Sequence, residues 1–514
     1  MTRSAGRSAA LVAAGILVSR LVGFVRERVF AHYFGNSAAA DAVRAALKIP
    51  NLIRNLLGEG TLSASFIPVY ARLLESDDPK AARALAGAVA SILIFASAAA
   101  ALLGIALAPA ITAVVAPGFD PETRRLTVTL VRIIFPGSGL LILAAWCLGI
   151  LNTHRRFFLP YAAPAIWNIA QIAVLIAVGA RVAGGDLAVW LAWGVLAGSL
   201  LQLAIQLPQA LRLAGGFVFL PSFRVAGVPD VLTAWTPVVI GAGVAQISSL
   251  VDTQLASLLP TGAVASLGYA QLLTNLPIAL FGVSVAAASL PELSRDAAGA
   301  QAHEALRARL AEGFRRIVYF VLPCAVGFAV IGRPIVRLLF ETGRFGAEDT
   351  SLVAGVLAAY SVGLVGWATV KLFASGFYAL RDTRTPVVTA ASSVVLSVVL
   401  SYLLMQRMGP AGIGLGAGIA ALYNTSAQLV RLQRRIGRVL GPSDWRAAGG
   451  VAIASVVSVA AGFGAALVTA PAGMVATAVA SWTVFGAAYL AATRLLGHPD
   501  AASLLRVLAR RPTP

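Results

Sequence analysis

Long, largely apolar runs divide this chain, and that division leaves it few ways to fold. About fourteen such runs can be marked, each of 21 to 36 residues, long enough to cross a bilayer, since a 20-residue helix rising 1.5 Å per residue spans roughly 30 Å of hydrocarbon. They cover 9–34, 39–73, 81–116, 124–151, 160–183, 187–213, 231–259, 263–290, 314–340, 350–379, 386–406, 411–433, 447–470 and 473–495. The expected fold is therefore all-α, a polytopic membrane protein. Runs longer than a plain crossing are expected to tilt, bend or project from the bilayer. Composition excludes the soluble alternative: 12% of the 514 residues are charged, against about 25% in an ordinary soluble chain. A soluble core also stops growing before it absorbs this much apolar surface.

The net charge of +19 does not mark a nucleic-acid binder, because the cations lie in short loops between apolar runs without interleaved aromatics. Basic loops alternate with neutral ones. Arg3 and Arg7 precede the first run; Arg72, Lys80 and Arg83 follow the second; His154, Arg155 and Arg156 follow the fourth; and Arg212 and Arg224 follow the sixth. Arg295, Arg307, Arg309, Arg315 and Arg316 follow the eighth, Arg381 and Arg384 the tenth, and Arg431, Arg434, Arg435 and Arg438 the twelfth, while Arg506, Arg510 and Arg511 come last. Loops 35–38, 260–263 and 469–473 carry no Lys or Arg. This alternation places both termini in the cytoplasm and requires an even number of spans. The first residues imitate a signal peptide, but no small-residue cleavage site follows before Arg20, so the segment reads as an uncleaved first span. Cys147 and Cys324 both sit inside apolar runs and read as small core residues. The four His residues form no ligand cluster. A weak echo links Ser65-Phe66-Ile67-Pro68 with Ala288-Ser289-Leu290-Pro291, each closing a run before a basic loop, as parallel repeats six spans apart would.

One segment defies the apolar pattern. Residues 19–60 hold Arg20, Arg26, Glu27, Arg28, Asp41, Arg44, Lys48, Arg54 and Glu59. A charge at the bilayer centre costs at least about 2.5–3.5 kcal/mol on insertion scales, so these groups face one another, a water-filled cavity, or the interface. Structural readings exist for several. Arg28 can snorkel to headgroups; Glu27 follows Arg20 on one helical stripe; Asp41 and Arg44 are spaced to pair. The sign excess favours a second reading, because six cations face three anions and leave positive charge over. Arginine holds phosphate or carboxylate through two parallel hydrogen bonds. Pro50 and Gly58 interrupt the second run, and broken helices commonly frame transporter sites. An anion-handling transporter with a cationic cavity is the expectation. No Ser/His/Asp set, metal cluster or ATPase-type Gly loop is present, so the chain reads as a non-enzyme without cofactors.

The same residues carry a resemblance. Ser19-Arg20-Leu21-Val22-Gly23-Phe24-Val25-Arg26-Glu27, Phe34-Gly35, Asp41-Ala42, Lys48-Ile49-Pro50-Asn51-Leu52-Ile53-Arg54 and Glu59-Gly60 resemble the signature of the MurJ (MviN) lipid II flippases. Phe66-Ile67-Pro68, Tyr269-Ala270, Leu290-Pro291-Glu292-Leu293-Ser294, Arg337-Leu338-Leu339-Phe340-Glu341 and Phe377-Tyr378-Ala379-Leu380 with Asp382-Thr383-Arg384-Thr385-Pro386 extend it in order. The resemblance implies the multidrug/oligosaccharidyl-lipid/polysaccharide exporter fold. Its N-terminal lobe would be 1–225, its C-terminal lobe 226–440, and 441–514 would hold two added helices and a basic tail. It implies alternating access that moves lipid II, the undecaprenyl-pyrophosphate-linked peptidoglycan precursor, from the inner to the outer leaflet of a bacterial cytoplasmic membrane. Lipid II, membrane lipids and the cell-wall synthesis machinery would be partners, and nucleic acid would not. Arg20, Arg26 and Arg54, with Arg44 and Lys48, would bind the pyrophosphate or head; Glu27, Asp41 and Glu59 would tune or gate them.

There are departures. The family's Asp-Arg pair after Tyr-Ala in span eight is Gln271-Leu272 here, and Arg44 stands where an apolar residue is usual, which suggests that Arg44 partly replaces the missing cation. Asp252 lies where some relatives hold sodium, but Ser397 and Ser401 stand in place of their Asn and Asp, so sodium, proton and membrane-potential coupling all stay open. Lys371 reads as a paired or snorkelling residue, and Arg333, Arg337, Glu341 and Arg344 as interfacial ones. The alternatives are an exporter of another polyprenyl-linked saccharide and a degenerate, non-transporting relative.

Overall fold

A computed structural model describes residues 2–58, 60–76, 78–283, 302–498 and 500–501, and α-helix dominates it, with one isolated β-bridge, Thr342 to Phe345, among the described residues. The helices are α1 (Thr2–Phe34), α2 (Ala38–Ala46), α3 (Lys48–Leu57), α4 (Thr61–Glu75), α5 (Pro79–Ala106), α6 (Ala108–Val115), α7 (Pro121–Thr153), α8 (Phe158–Ala162), α9 (Pro164–Gly179), α10 (Gly184–Leu213), α11 (Val228–Ser257) and α12 (Ala263–Pro277). After a π-helical turn at Ile278–Val283 come α13 (Ala302–Phe340), α14 (Ala347–Ser361), α15 (Leu364–Ala379), α16 (Arg384–Met408), α17 (Pro410–Ile436), α18 (Pro442–Thr469) and α19 (Met474–Leu495). Among the described residues, 10 helical segments are long and apolar enough to cross a bilayer. The chain is a multi-pass membrane protein. The expected runs outside that set are also helical: α1, the α2–α4 series, α11 and α17. The echo segment 288–291 and its neighbour Leu290–Ser294 lie outside the described residues.

The second run breaks where its sequence says it must. Pro50 has no N–H to donate, and its ring would clash with the carbonyl four residues back, so α2 ends and α3 begins just ahead of it. Gly58 ends α3. Thr61 Oγ1 then donates to the Leu56 and Gly58 carbonyls at 2.9 and 3.2 Å, satisfying oxygens the break has freed.

The chain forms two compact units. The first is Met1–Ala265 with Thr342–Phe345, the second Ser266–Glu341 with Gly346–Pro514. This division falls later than the boundary at 225/226 expected for the lobes. The cause is visible in the contacts: α11 packs with the first unit, where Ser257 Oγ accepts from the Gly118 N–H at 3.1 Å and Gln254 donates to the Val114 carbonyl at 2.7 Å. The first unit's core gathers Phe66, Tyr70, Leu85, Trp146, Cys147, Ile150 and Val228. In the second, α18 and α19 pack on α13. Ile331, Val459 and Phe485 form a cluster under Trp482, the Tyr489 hydroxyl donates to the Tyr319 carbonyl at 2.5 Å, and Arg315 pairs with Asp444. Both cysteines are free thiols, Cys147 buried and Cys324 donating to the Phe320 carbonyl at 3.3 Å. Outward faces are apolar: Leu102 is 70% exposed and Val468 80%, an arrangement that lipid accepts and water would not.

A repeat absent from the sequence reading appears in two turns. Arg155 and Arg381 have φ of 57° and 58°, and they are the non-glycine residues with positive φ among the described residues. Arg155 N–H donates to the Asn152 carbonyl (3.0 Å) and Arg156 N–H to Leu151 (2.8 Å). Arg381 N–H donates to Tyr378 (3.0 Å) and Asp382 N–H to Phe377 (2.9 Å). Both are Schellman caps in which arginine fills the left-handed site that usually takes glycine. Each is followed at the same distance by a proline, Pro160 and Pro386. Spans four and ten therefore end alike, six spans apart.

Candidate functional site

The N-terminal charges are held by an unequal distribution of partners. Glu27 is buried, and its carboxylate accepts from both Arg26 and Arg44. The Arg26 guanidinium lies over Trp167, 5.2 Å from the ring centroid, and Arg44 lies 4.8 Å over Phe30. Such faces add about 0.5–2 kcal/mol each, more when desolvated. Glu27 thus takes Arg26 and Arg44 as partners where its spacing had suggested Arg20. Arg20 and Arg28 are exposed along α1.

Asp41 does not take Arg44 as a hydrogen-bond partner. Its oxygens accept from the Gly262 N–H at 2.6 Å and the Ala265 N–H at 2.7 Å. The carboxylate caps the N-terminus of α12 from another part of the chain, where amides without intrahelical partners and the helix dipole favour an anion. Gly262 is required there. Its φ is +93°, and a Cβ would stand 2.6 Å from the Asn36 carbonyl oxygen. Ser37 caps α2 itself, accepting from Ala40 N–H at 3.3 Å.

Lys48 donates to Ser249 Oγ at 3.0 Å and to the Ser249 carbonyl at 3.4 Å, and it lies within electrostatic range of Asp252. Asp252 is buried on α11. Arg54 sits on α3 with its Nε buried and without a hydrogen-bond partner among the described residues. Glu59 lies outside the described residues. The structure therefore brings Arg26, Glu27 and Arg44 into contact and joins Lys48 to Ser249, while Arg20 is exposed on α1 and Arg54 lies on α3.

In the second unit Tyr269 and Ala270 are fully buried, and Gln271 donates to the Tyr360 hydroxyl at 2.9 Å. Ser401 donates to the Ile413 carbonyl at 3.2 Å. Lys371 is exposed on α15, and Arg337 pairs with Glu341 at 3.0 Å. The sequence reading missed Trp167, Phe30 and Ser249, because an aromatic or serine in an apolar run gives no sign of which cation it will meet.

Among the described residues no group of three His, Cys, Asp or Glu side chains could hold a metal ion. Buried, paired charges inside a multi-pass helical frame are the usual mark of a substrate or ion pathway in a membrane protein. The family model described as "Lipid II flippase MurJ" matches residues 30–501. The chain is 35% identical over 425 residues to "Lipid II flippase MurJ" of Burkholderia cenocepacia, covering 82% of each chain. It is 37% identical over 427 residues to "Probable lipid II flippase MurJ" of Rhizobium meliloti, covering 81% of this chain and 78% of the relative. Among solved structures, "Lipid II flippase MurJ, inward closed conformation" matches with a TM-score of 0.80 at 24% identity, covering 95% of this chain and 98% of the other. An inward-facing multidrug transporter of the MATE family matches with a TM-score of 0.65 at 14% identity, over 84% of this chain and 98% of its own; these two likenesses bear on fold. The chain belongs to the lipid II flippase MurJ family.

Proposed function

We propose that this protein moves lipid II across a bacterial cytoplasmic membrane by alternating access, with both termini in the cytoplasm and about fourteen spans. The observation that carries the reading is the shared carboxylate of Glu27. Two guanidiniums lean on one anion, and the second nearby carboxylate, Asp41, is engaged by backbone amides. The Arg26–Glu27–Arg44 set by itself keeps one positive charge that an incoming pyrophosphate can complete. In this reading Arg20, Arg26 and Arg54, with Arg44 and Lys48, form the anion-binding face, Glu27 sets the spacing of its two arginines, and Asp41 and Glu59 tune or gate them. The polyprenyl tail stays in lipid, and the cell-wall synthesis machinery takes up the delivered head. The chain acts as a transporter, with no covalent step.

A sodium site built on Asp252 fits these residues poorly. An ammonium already lies within its electrostatic range, and the Ser401 hydroxyl is turned to a backbone carbonyl. Membrane potential acting on the cationic face is the favoured drive. One observation favours a second substrate, another polyprenyl-linked saccharide: Gln271 is engaged by Tyr360 and brings no charge to the position.

The test is replacement of the essential flippase in a bacterium, read by an outer-leaflet assay for lipid II. Growth with outer-leaflet precursor is expected, and it is expected to persist when sodium is replaced by potassium. Good membrane expression without precursor transfer would favour the second substrate.

A further inference from the structure

The segment joining α10 to α11 reads in sequence as a basic cytoplasmic loop, on the strength of Arg212 and Arg224. Its backbone follows another course. At Gly215 and Gly216, both at positive φ, it turns against the Arg83 side chain and then runs extended along α5. Side chains alternate from there: Val218 and Leu220 are half-buried toward the helix, while Phe217, Phe219 and Pro221 are exposed. The approach to α5 is at backbone distance. A Cβ on Gly87 would stand 2.3 Å from the Val218 carbonyl oxygen. One turn further, Ser91 Oγ accepts from the Leu220 N–H at 3.0 Å while donating to the Gly87 carbonyl at 2.7 Å. The chain then returns, bringing Gly227 against Val69 and Leu85. From Arg83 to Ser91 the segment advances about 12 Å along α5, and that helix carries no charge beyond Arg83.

At the tip Phe219 lies 5.8 Å from Phe95 of α5 and 6.4 Å from Phe217, ring to ring. These three rings and Phe223 are each 45–60% exposed. Arg83, Arg212 and Arg224 flank them and are exposed too. The ring cluster continues the outward apolar face of α5, where Leu102 and Leu103 are exposed.

We propose that residues 215–227 form a re-entrant hairpin seated in the bilayer leaflet nearest Arg83, the cytoplasmic one in the orientation proposed above. The Phe rings lie among acyl chains, and Arg83, Arg212 and Arg224 reach anionic phospholipid headgroups. The bilayer is the occupant because the patch is continuous with a lipid-facing helix and its rim carries the complementary charge. Part of the backbone demand that a non-helical segment brings into lipid is met locally: Ser91 takes the Leu220 N–H, the Leu220 carbonyl the Ser222 N–H, and Ser222 Oγ the Arg224 N–H. In water the same four rings would be an association surface.

The test uses the full chain in lipid nanodiscs containing phosphatidylglycerol, with single spin labels at Phe219→Cys, Phe223→Cys and Arg212→Cys in a Cys147→Ala/Cys324→Ala background. Collisions with oxygen are expected to exceed those with a water-soluble nickel chelate at 219 and 223, and the order is expected to reverse at 212. Chelate access at 219 and 223 equal to that at 212 would overturn the proposal. So would labels shielded from both reagents, since a protein surface would then cover the tip. If the cysteine-free background folds poorly, Phe219 replaced by a photo-crosslinking phenylalanine analogue in the native chain reads the same point: crosslinks to phospholipid support it, and crosslinks to protein alone overturn it. Depth is measured whatever the substrate, so failure here would leave the transport reading standing.

Discussion

Residues 19–60 hold six cations and three anions, whereas residues 228–283, near the start of the second half, hold only Asp230 and Asp252. The caps after Asn152 and Tyr378 show that the two halves can share a turn down to an arginine in a left-handed site. What differs is the chemistry placed on that backbone. The two segments are complementary: the sparsely charged one supplies groups that satisfy the charged one. Gly262 and Ala265 give their N–H groups to Asp41, and Ser249 and Asp252 receive Lys48. A charged helix in lipid is stable only when such partners are close.

Removing Glu27 tests this most severely. Glu27→Ala leaves Arg26 and Arg44 side by side without their counter-ion, and breaking a buried pair in this way costs about 3–5 kcal/mol. The expected result is a large drop in thermal stability in detergent and loss of lipid II transfer. An unchanged melting temperature would mean that the charged segment does not depend on its ion set. Arg44→Ala should be milder in stability, because Arg26 still serves Glu27, and a transport rate equal to wild type would remove Arg44 from the anion-binding face.

The cap comes next in size. Asp41→Ala frees two amides at the start of α12 and should cost about 1–2 kcal/mol, as losing a strong helix cap does. Hydrogen exchange read by mass spectrometry should accelerate at 262–265 first, and Asp41→Asn should fall between the two. Uniform acceleration across α12 and α11 would point to a global effect instead.

How far the residues announced all this differs by element. The helices were legible because hydrocarbon thickness imposes one length on every apolar run, and Pro50 and Gly58 marked the breaks through backbone chemistry alone. Side-chain partners were not. Helical spacing offered Glu27 to Arg20 and Asp41 to Arg44, since spacing sees only neighbours on one helix. Glu27 met Arg44 across the turn at 35–37, and Asp41 met amides 221 residues away. No period in the sequence encodes contacts of that range. The attachment of α11 to the first compact unit, through Gly118 and Val114, was hidden for the same reason. Gln271–Leu272 was legible as a missing charge, but its hydrogen bond to Tyr360 was not.

The smallest expected effect concerns what the repeats share. Arg155→Gly and Arg381→Gly should each stabilise by about 1 kcal/mol, since glycine takes the left-handed site without strain. Equal gains in detergent would support the two turns as one repeated device. A gain at one site and a loss at the other would mean that its arginine side chain has work that the backbone does not show.

The Asp41 cap also sets an order of events during synthesis. The chain is made from its N-terminus, so Asp41 leaves the ribosome well before Gly262 and Ala265 exist. Through that interval its carboxylate is in or beside the membrane without the amides that later hold it. The first two helices are therefore made before the amides that complete them, and their final polar contacts form only when the chain has reached α12.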